Sequence, residues 1–217
     1  MISIEQQQQL LLAVSRRLKQ KITIYAIGGT AMMFLGFKEA TLDIDLVFEN
    51  EKDRKLFSEA VLSLGYEKMD SVLIYGAKNN HPQMFSLGEV RFDLFLEEVV
   101  SFIFSSGMML RAEQIRQYGD NLIVRVADLH DLILMKCATD RLKDRDDARR
   151  IIAATEINWN IIINEAKEQI LLGKEKAAFE LGCLLEELKN NLKVKVPQKI
   201  LNELFAIVKE QAARKQK

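Results

Sequence analysis

The sequence predicts an α+β fold, in which a mixed and largely antiparallel sheet carries helices and is followed by a C-terminal helical region. Residues 22–48 have the pattern of a buried strand, a glycine turn, a short helix and a second strand. Residues 83–96 have the pattern of two strands joined by a tight turn. From residue 151 onward the apolar spacing is helical. We therefore expect a core domain over residues 1–150 and a helical region over residues 151–217.

Local signals define the elements in chain order. In the first half, helices are predicted over residues 4–19, 30–35 and 51–64, and strands over residues 22–27 and 42–48. Asn50 is a suitable N-cap for the last of these helices, and Gly65 ends it. The second half is predicted to contain strands over residues 72–75, 83–87, 90–96 and 122–126, a helix from Asp128, and a last helix over residues 198–215 that follows Pro197.

Composition limits the possible classes of protein. The 217 residues are 48% hydrophobic, which is enough for a sizeable core, and the formal net charge of zero gives no overall field toward nucleic acid. Cys137 and Cys183 lie inside apolar helical patterns, so neither a disulfide framework nor a zinc site is expected. No apolar run reaches the length of a membrane span and no signal peptide is visible, so we expect a cytoplasmic protein that does not contact membranes.

Two aspartates on one predicted strand are the first sign of chemistry. Because side chains alternate along a strand, Asp43 and Asp45 project to the same face, whereas Ile44 and Leu46 pack on the other. Two carboxylates about 5 Å apart repel each other by about 1 to 3 kcal/mol. A cation between them removes this cost, and carboxylate oxygens that leave positions for water and phosphate suit Mg²⁺ or Mn²⁺.

A glycine pair precedes this strand and suggests a phosphate site. Gly28 and Gly29 follow an apolar run and begin a segment that is compatible with a helix, where Thr30 adds a hydroxyl. Without a Cβ, the backbone of the turn can approach a ligand closely, and N–H groups at the start of a helix suit an anion. A phosphate site beside paired carboxylates is what phosphoryl or nucleotidyl transfer requires.

Asp93 is the candidate for a third carboxylate. It lies in the strand Arg91-Phe92-Asp93-Leu94-Phe95, a very apolar setting in which a carboxylate is costly unless it is paired or binds a cation. The alternative is an aspartate on an edge strand that faces water. Arg91 could bind a triphosphate or pair with a carboxylate.

These motifs together resemble the nucleotidyltransferase superfamily of the DNA polymerase β type. Its signature is hydrophobic-Gly-[Gly/Ser], about 9 to 13 residues, and then Asp-hydrophobic-[Asp/Glu]-hydrophobic, with a further carboxylate on a later strand. Ile27-Gly28-Gly29 and Asp43-Ile44-Asp45-Leu46 match this signature. The chain resembles in particular the AbiEii-like abortive-infection toxins and their uncharacterised relatives. The resemblance implies a nucleotidyltransferase-like sheet in which Asp43, Asp45 and Asp93 bind metal and catalyse the reaction.

A third stretch, residues 136–147, resembles the Lys…Ala…Arg-x-Lys-Asp-x-x-Asp region of the AbiEii-like group. The resemblance implies that Lys136 contacts the nucleotide phosphates together with Gly28, Gly29 and Thr30, and that Asp144 and Asp147 support it. The alternatives are structural. The two aspartates suit the start of a helix, and Lys143 lies four residues before Asp147 and could pair with it.

The resemblance implies an enzyme that transfers a nucleoside monophosphate from a nucleoside triphosphate to a hydroxyl acceptor, with Mg²⁺ or Mn²⁺ as cofactor. The acceptor could be RNA such as a tRNA end, a protein or a small molecule. One alternative is a binding module without turnover, part of a toxin–antitoxin pair with an antitoxin partner. Another is a metal phosphohydrolase that uses the same carboxylates on water.

Overall fold

The computed structural model describes residues 1–76, 80–139 and 141–215. The strands are β1 (Ile2–Ser3), β2 (Ile22–Ala26), β3 (Ala40–Thr41), β4 (Asp43–Phe48), β5 (Glu67–Met69), β6 (Gln83–Leu87), β7 (Val90–Leu96), β8 (Glu98–Val99), β9 (Phe102–Ile103), β10 (Gln114–Tyr118) and β11 (Leu122–Val126). The helices are α1 (Ile4–Ser15), α2 (Gly28–Phe34), α3 (Glu51–Ser63), α4 (Val72–Tyr75), α5 (Ser106–Arg111), α6 (Leu129–Met135), α7 (Leu142–Ala154), α8 (Trp159–Leu171), α9 (Ala177–Asn190) and α10 (Gln198–Lys215), with a 3₁₀ turn at Lys136–Ala138.

One mixed sheet organises the first part of the chain. Among the described residues, seven strands form it in the order β10-β11-β2-β4-β7-β6-β5. The β11–β2 and β4–β7 pairs are parallel, and the other four neighbouring pairs are antiparallel. The predicted fold class, a mixed and largely antiparallel sheet with helices, is confirmed.

Two compact units make up the described structure. The first contains residues 1–100 and 106–128, and the second contains residues 101–105 and 129–217. The predicted division into a nucleotidyltransferase-like core over residues 1–150 and a helical region over residues 151–217 stays a prediction.

The first unit contains the sheet, and its core includes a cluster of aromatic rings. Phe57 packs edge-to-face on Phe48 and Phe92, with ring centroids 5.4 and 5.9 Å apart. All three rings are fully buried. Phe48 and Phe92 lie on the two parallel strands that also carry the acidic residues, and this packing fixes β4 against β7 from one face. The acidic side chains project from the opposite face of the same two strands.

The second unit is helical and carries a buried polar cluster of its own. Glu165 accepts a hydrogen bond from Ser105 and another from Gln169, at 2.8 and 2.9 Å. Gln169 also binds the backbone N–H and the carbonyl of Ile103, which holds the 101–105 segment against α8. Within residues 1–76, 80–139 and 141–215, none of the helices combines the length and the apolar character that crossing a lipid bilayer requires.

Several predicted boundaries are confirmed, and one predicted element is wrong. Asn50 caps α3 through its side chain, which accepts a hydrogen bond from the Asp53 N–H at 2.9 Å. The hairpin between β6 and β7 turns at Gly88, which has a φ of 60°. The strand predicted over residues 72–75 is instead the short helix α4. A four-residue apolar run does not distinguish a strand from one helical turn.

Candidate active site

The three predicted acidic residues converge in the first unit. Strands β4 and β7 are parallel neighbours, and their register places Asp45 directly opposite Asp93. Asp43 lies on the same face of β4, two residues before Asp45. One carboxylate oxygen from each of the three lies within 4.8 Å of the others. Asp43 and Asp93 are buried, and Asp45 is partly exposed.

Asp93 does not lie on an edge strand. Strand β7 is flanked by β4 and β6, and the side chain of Asp93 is fully buried. The alternative of a water-facing aspartate is therefore excluded. Burial raises the pKa of Asp93 above its ordinary value, against the opposing effect of its hydrogen bond with Arg91.

Arg91 contacts two of these carboxylates, those of Asp43 and Asp93. Its Nε donates to Oδ1 of Asp93 at 2.7 Å and its Nη2 donates to Oδ2 at 3.0 Å. The same Nη2 also donates to Asp43, which is the residue opposite Arg91 in the parallel register. Burial lowers the pKa of Arg91, but the hydrogen bonds and charges of these carboxylates outweigh that effect and raise it. Of the two predicted roles for Arg91, carboxylate pairing is the one the structure contains.

The two glycines leave space for side chains of β4 and β3. Gly28 has a φ of 55°, and a Cβ built on it would lie 2.4 Å from Oδ2 of Asp45. A Cβ on Gly29 would lie 2.3 Å from the hydroxyl of Thr41. The first glycine therefore allows the Asp45 carboxylate to lie against the start of α2.

Thr30 fixes the backbone of the acidic strand. It is fully buried, and its hydroxyl accepts a hydrogen bond from the Asp45 N–H at 2.8 Å. The backbone at the start of α2 and the carboxylate pair are thus held in one rigid arrangement. The N–H groups of the first helical turn have no acceptor within their own helix.

Tyr75 is a component of the site that sequence reasoning missed. Its hydroxyl donates a hydrogen bond to Oδ2 of Asp93 at 2.8 Å. Burial, together with the charges of Asp45 and Asp93, raises the pKa of this phenol well above its ordinary value. The sequence signal was absent because the residue lies in a short apolar run remote from every acidic motif.

Lys136, Asp144 and Asp147 form a buried ion cluster in the second unit. The Lys136 ammonium donates to Oδ1 of Asp144 at 2.8 Å and to Oδ2 of Asp147 at 2.7 Å. Burial acts to lower the pKa of Lys136, but the two carboxylates raise it above its ordinary value. Burial acts to raise the pKa of Asp144, but Lys136, Thr139 and Arg141 together outweigh it and lower that pKa to about 2. Asp140, in the same stretch of sequence, lies outside the described residues.

A family model identifies the chain as a nucleotidyltransferase. The family model described as "nucleotidyltransferase of unknown function (DUF6036)" matches residues 1–193, and the chain belongs to this family. The particular resemblance to AbiEii-like toxins stays a prediction.

Several solved structures are also similar to this chain. The solved structure of ANT(2″)-Ia in complex with adenylyl-2″-tobramycin is similar to this chain, with 18% sequence identity and a TM-score of 0.46 over 83% of this chain and 98% of that chain. No curated protein sequence matches the chain.

Proposed function

We propose that this nucleotidyltransferase is metal-dependent and transfers a nucleoside monophosphate from a nucleoside triphosphate to a hydroxyl acceptor. The observation that supports the proposal is the convergence of Asp43, Asp45 and Asp93, whose ligand oxygens lie within 4.8 Å of one another. Such a concentration of negative charge in a largely buried place is costly without a cation.

The donor set fits Mg²⁺ or Mn²⁺. All three side chains offer carboxylate oxygens, the ligands that these hard cations prefer, and the three residues come from two adjacent strands. When bound, such a cation would neutralise charge on the triphosphate and on the leaving pyrophosphate. Arg91 pairs with Asp43 and Asp93, so a bound divalent ion would share these two carboxylates with the guanidinium group.

The positions of Gly28, Gly29, Thr30 and Asp93 suggest their roles in binding the triphosphate and accepting a proton. Backbone N–H groups of Gly28, Gly29 and Thr30 would bind the triphosphate, while the buried Thr30 hydroxyl keeps the acidic strand in place. Asp93 would accept the proton of the acceptor hydroxyl, because its Oδ2 accepts a hydroxyl hydrogen bond in this structure.

Lys136 is assigned to the triphosphate on the family resemblance, with Asp144 and Asp147 holding its ammonium group. The hydrogen bonds from Lys136 to Asp144 and Asp147 support the role of these two aspartates. The contact between Lys136 and the triphosphate is tested by measuring the affinity of Lys136→Gln for nucleoside triphosphate. Lys143→Gln is the control, because Lys143 is exposed on the same stretch of chain. We expect only Lys136→Gln to weaken binding, and equal affinities would remove Lys136 from the site.

Transfer itself is tested with nucleotides labelled at the α-phosphate. ATP, GTP, CTP and UTP are each incubated with the chain, Mg²⁺ or Mn²⁺, and candidate RNA, protein and small-molecule acceptors. We expect label to move to a hydroxyl acceptor with release of pyrophosphate. The reaction should fail with EDTA and in Asp45→Asn, and it should persist in Asp120→Asn, whose aspartate is exposed in the turn between β10 and β11.

Two other outcomes correspond to the rival functions. Release of inorganic phosphate without a labelled acceptor would identify a phosphohydrolase. A binding module would bind nucleotide tightly in Asp43→Asn and Asp45→Asn as well, and it would never turn the nucleotide over. Its expected partner is an antitoxin. Either result contradicts the proposal.

A further inference from the structure

A hydroxyl of the protein itself lies where an acceptor hydroxyl is needed. Nucleotidyl transfer requires a hydroxyl beside the carboxylates and in contact with a group that takes its proton. The Tyr75 hydroxyl donates to Oδ2 of Asp93 at 2.8 Å, and Asp93 forms one carboxylate cluster with Asp43 and Asp45.

Packing directs this phenol toward the carboxylates. The Tyr75 ring meets Phe95 edge-to-face, with centroids 6.1 Å apart and an interplanar angle of 85°. His81 lies against it with centroids 5.8 Å apart, and the Nδ1 of His81 lies 3.2 Å from the hydroxyl of Ser71. The residue after Tyr75, Gly76, has a φ of 63° and ends the helix that carries the tyrosine. The ring is therefore contacted by two other rings, while its oxygen faces the acidic cluster.

The hydrogen bond from Tyr75 is not needed to satisfy Asp93. Two N–H groups of Arg91 already bind the two oxygens of that carboxylate, which pairs its charge. A phenylalanine would give the same ring packing without placing a nucleophilic oxygen in the cluster. A purely structural role therefore explains the ring of Tyr75 and leaves its hydroxyl unexplained.

We propose that Tyr75 is a nucleotide acceptor, so that the chain transfers a nucleoside monophosphate to its own tyrosine. This inference rests on the proposed function. The phenolic oxygen forms a bond to the α-phosphorus of the triphosphate, and the bond from that phosphorus to the oxygen bridging to the β-phosphate breaks. Pyrophosphate leaves with the electron pair of that bond. The phenolic proton passes to Asp93, and the product is a phosphodiester on Tyr75.

The test uses the full chain without any added acceptor. The protein is incubated with Mn²⁺ or Mg²⁺ and each of ATP, GTP, CTP and UTP labelled at the α-phosphate, and modified residues are located by peptide mass spectrometry. We expect at most one nucleotide per chain, on Tyr75, and no label from γ-labelled nucleotide. Labelling should disappear in Tyr75→Phe and Asp45→Asn, and it should persist in Tyr118→Phe, which alters another buried tyrosine of the same unit.

Metal-dependent binding of the same nucleotides, measured by calorimetry, separates a failure of this inference from a failure of the proposed function. Binding with no nucleotide on Tyr75 of the wild-type chain would overturn this inference and leave the proposed function standing. Label that lies on another residue, or that persists in Tyr75→Phe, would also overturn it. Absence of metal-dependent binding would overturn both. Because the modified residue is located in the wild-type chain, its identity does not depend on how well Tyr75→Phe folds.

Discussion

Asp45 and Asp93 lie directly opposite each other on the parallel strands β4 and β7. This pairing brings together two carboxylates from segments almost fifty residues apart in the chain. Like charges directly opposite in a sheet are destabilising. A bound cation would offset this repulsion. The chain itself already places one positive charge there, because Arg91 pairs with Asp43 and Asp93.

The role of Arg91 can be tested by thermal unfolding. Arg91→Met removes the guanidinium from Asp43 and the fully buried Asp93, and breaking such a pair costs about 3 kcal/mol. A cation that binds only the folded state restores stability. We therefore expect a lower melting temperature without metal and a larger rise on adding Mg²⁺ than in the wild type. Arg149→Met, at an exposed surface pair, is the control. Equal Mg²⁺ responses in Arg91→Met and the wild type would contradict this account.

The effect of Gly28 on the site can be distinguished from ordinary backbone strain by comparing Gly28→Ala with Gly36→Ala. Gly28 and Gly36 both have positive φ, at 55° and 78°, so alanine costs about 1 to 2 kcal/mol at either position. A Cβ at Gly36 meets nothing within 4 Å, whereas one at Gly28 lies 2.4 Å from Oδ2 of Asp45. Both alanine variants should therefore lose stability, but only Gly28→Ala should lose metal-dependent nucleotide binding, by about tenfold or more.

Calorimetric titration of the two variants measures the difference. If Gly28→Ala binds nucleotide as tightly as Gly36→Ala does, then Asp45 need not lie against the start of α2, and the proposed coupling between glycine turn and carboxylate is lost.

We expect Asp144 to make the stability of the second unit sensitive to acid. Its pKa in the folded chain is about 2, below the ordinary value of 3.8, so folding favours its charged form. The resulting stabilisation, about 2 kcal/mol, is present above pH 4 and is lost as the pH falls through 2. We expect Asp144→Asn to remove this part of the pH dependence of the unfolding free energy.

Denaturant unfolding between pH 2 and pH 6 measures the effect. Asp146→Asn is the control, because that neighbouring aspartate is exposed and its contact with Arg149 is 3.4 Å long. The assigned pKa would be contradicted if, on acidification, the unfolding free energy of Asp144→Asn fell as steeply as that of the wild type.

The acidic core of the site could be predicted from the sequence because strand periodicity determines which side chains share a face. The alternation around Asp43 and Asp45 was sufficient for that pair, and the apolar surroundings of Asp93 indicated a carboxylate with a partner. What alternation does not provide is the register between strands. The position of Arg91 opposite Asp43, which makes it the bridge between two acids, follows from that register alone.

Tyr75 could not be predicted for a different reason. Its run of four apolar residues carries no periodic signal, and its contact with Asp93 joins two elements that are not neighbours in sequence. The same holds for β5 and β10, whose exposed and polar residues are typical of loops. Tertiary pairing with β6 and β11 makes them strands.

The most direct test of the central claim is the binding of Mn²⁺ in the presence of a non-hydrolysable nucleoside triphosphate, followed by electron paramagnetic resonance. If Asp43, Asp45 and Asp93 form one metal and nucleotide site, the wild type and Asp120→Asn should bind Mn²⁺ with the nucleotide. Asp93→Asn should retain its fold and bind at least about 100-fold more weakly, since even outer-shell changes at metal sites cost 10–100-fold. Equal Mn²⁺ affinity in all three proteins would contradict the account.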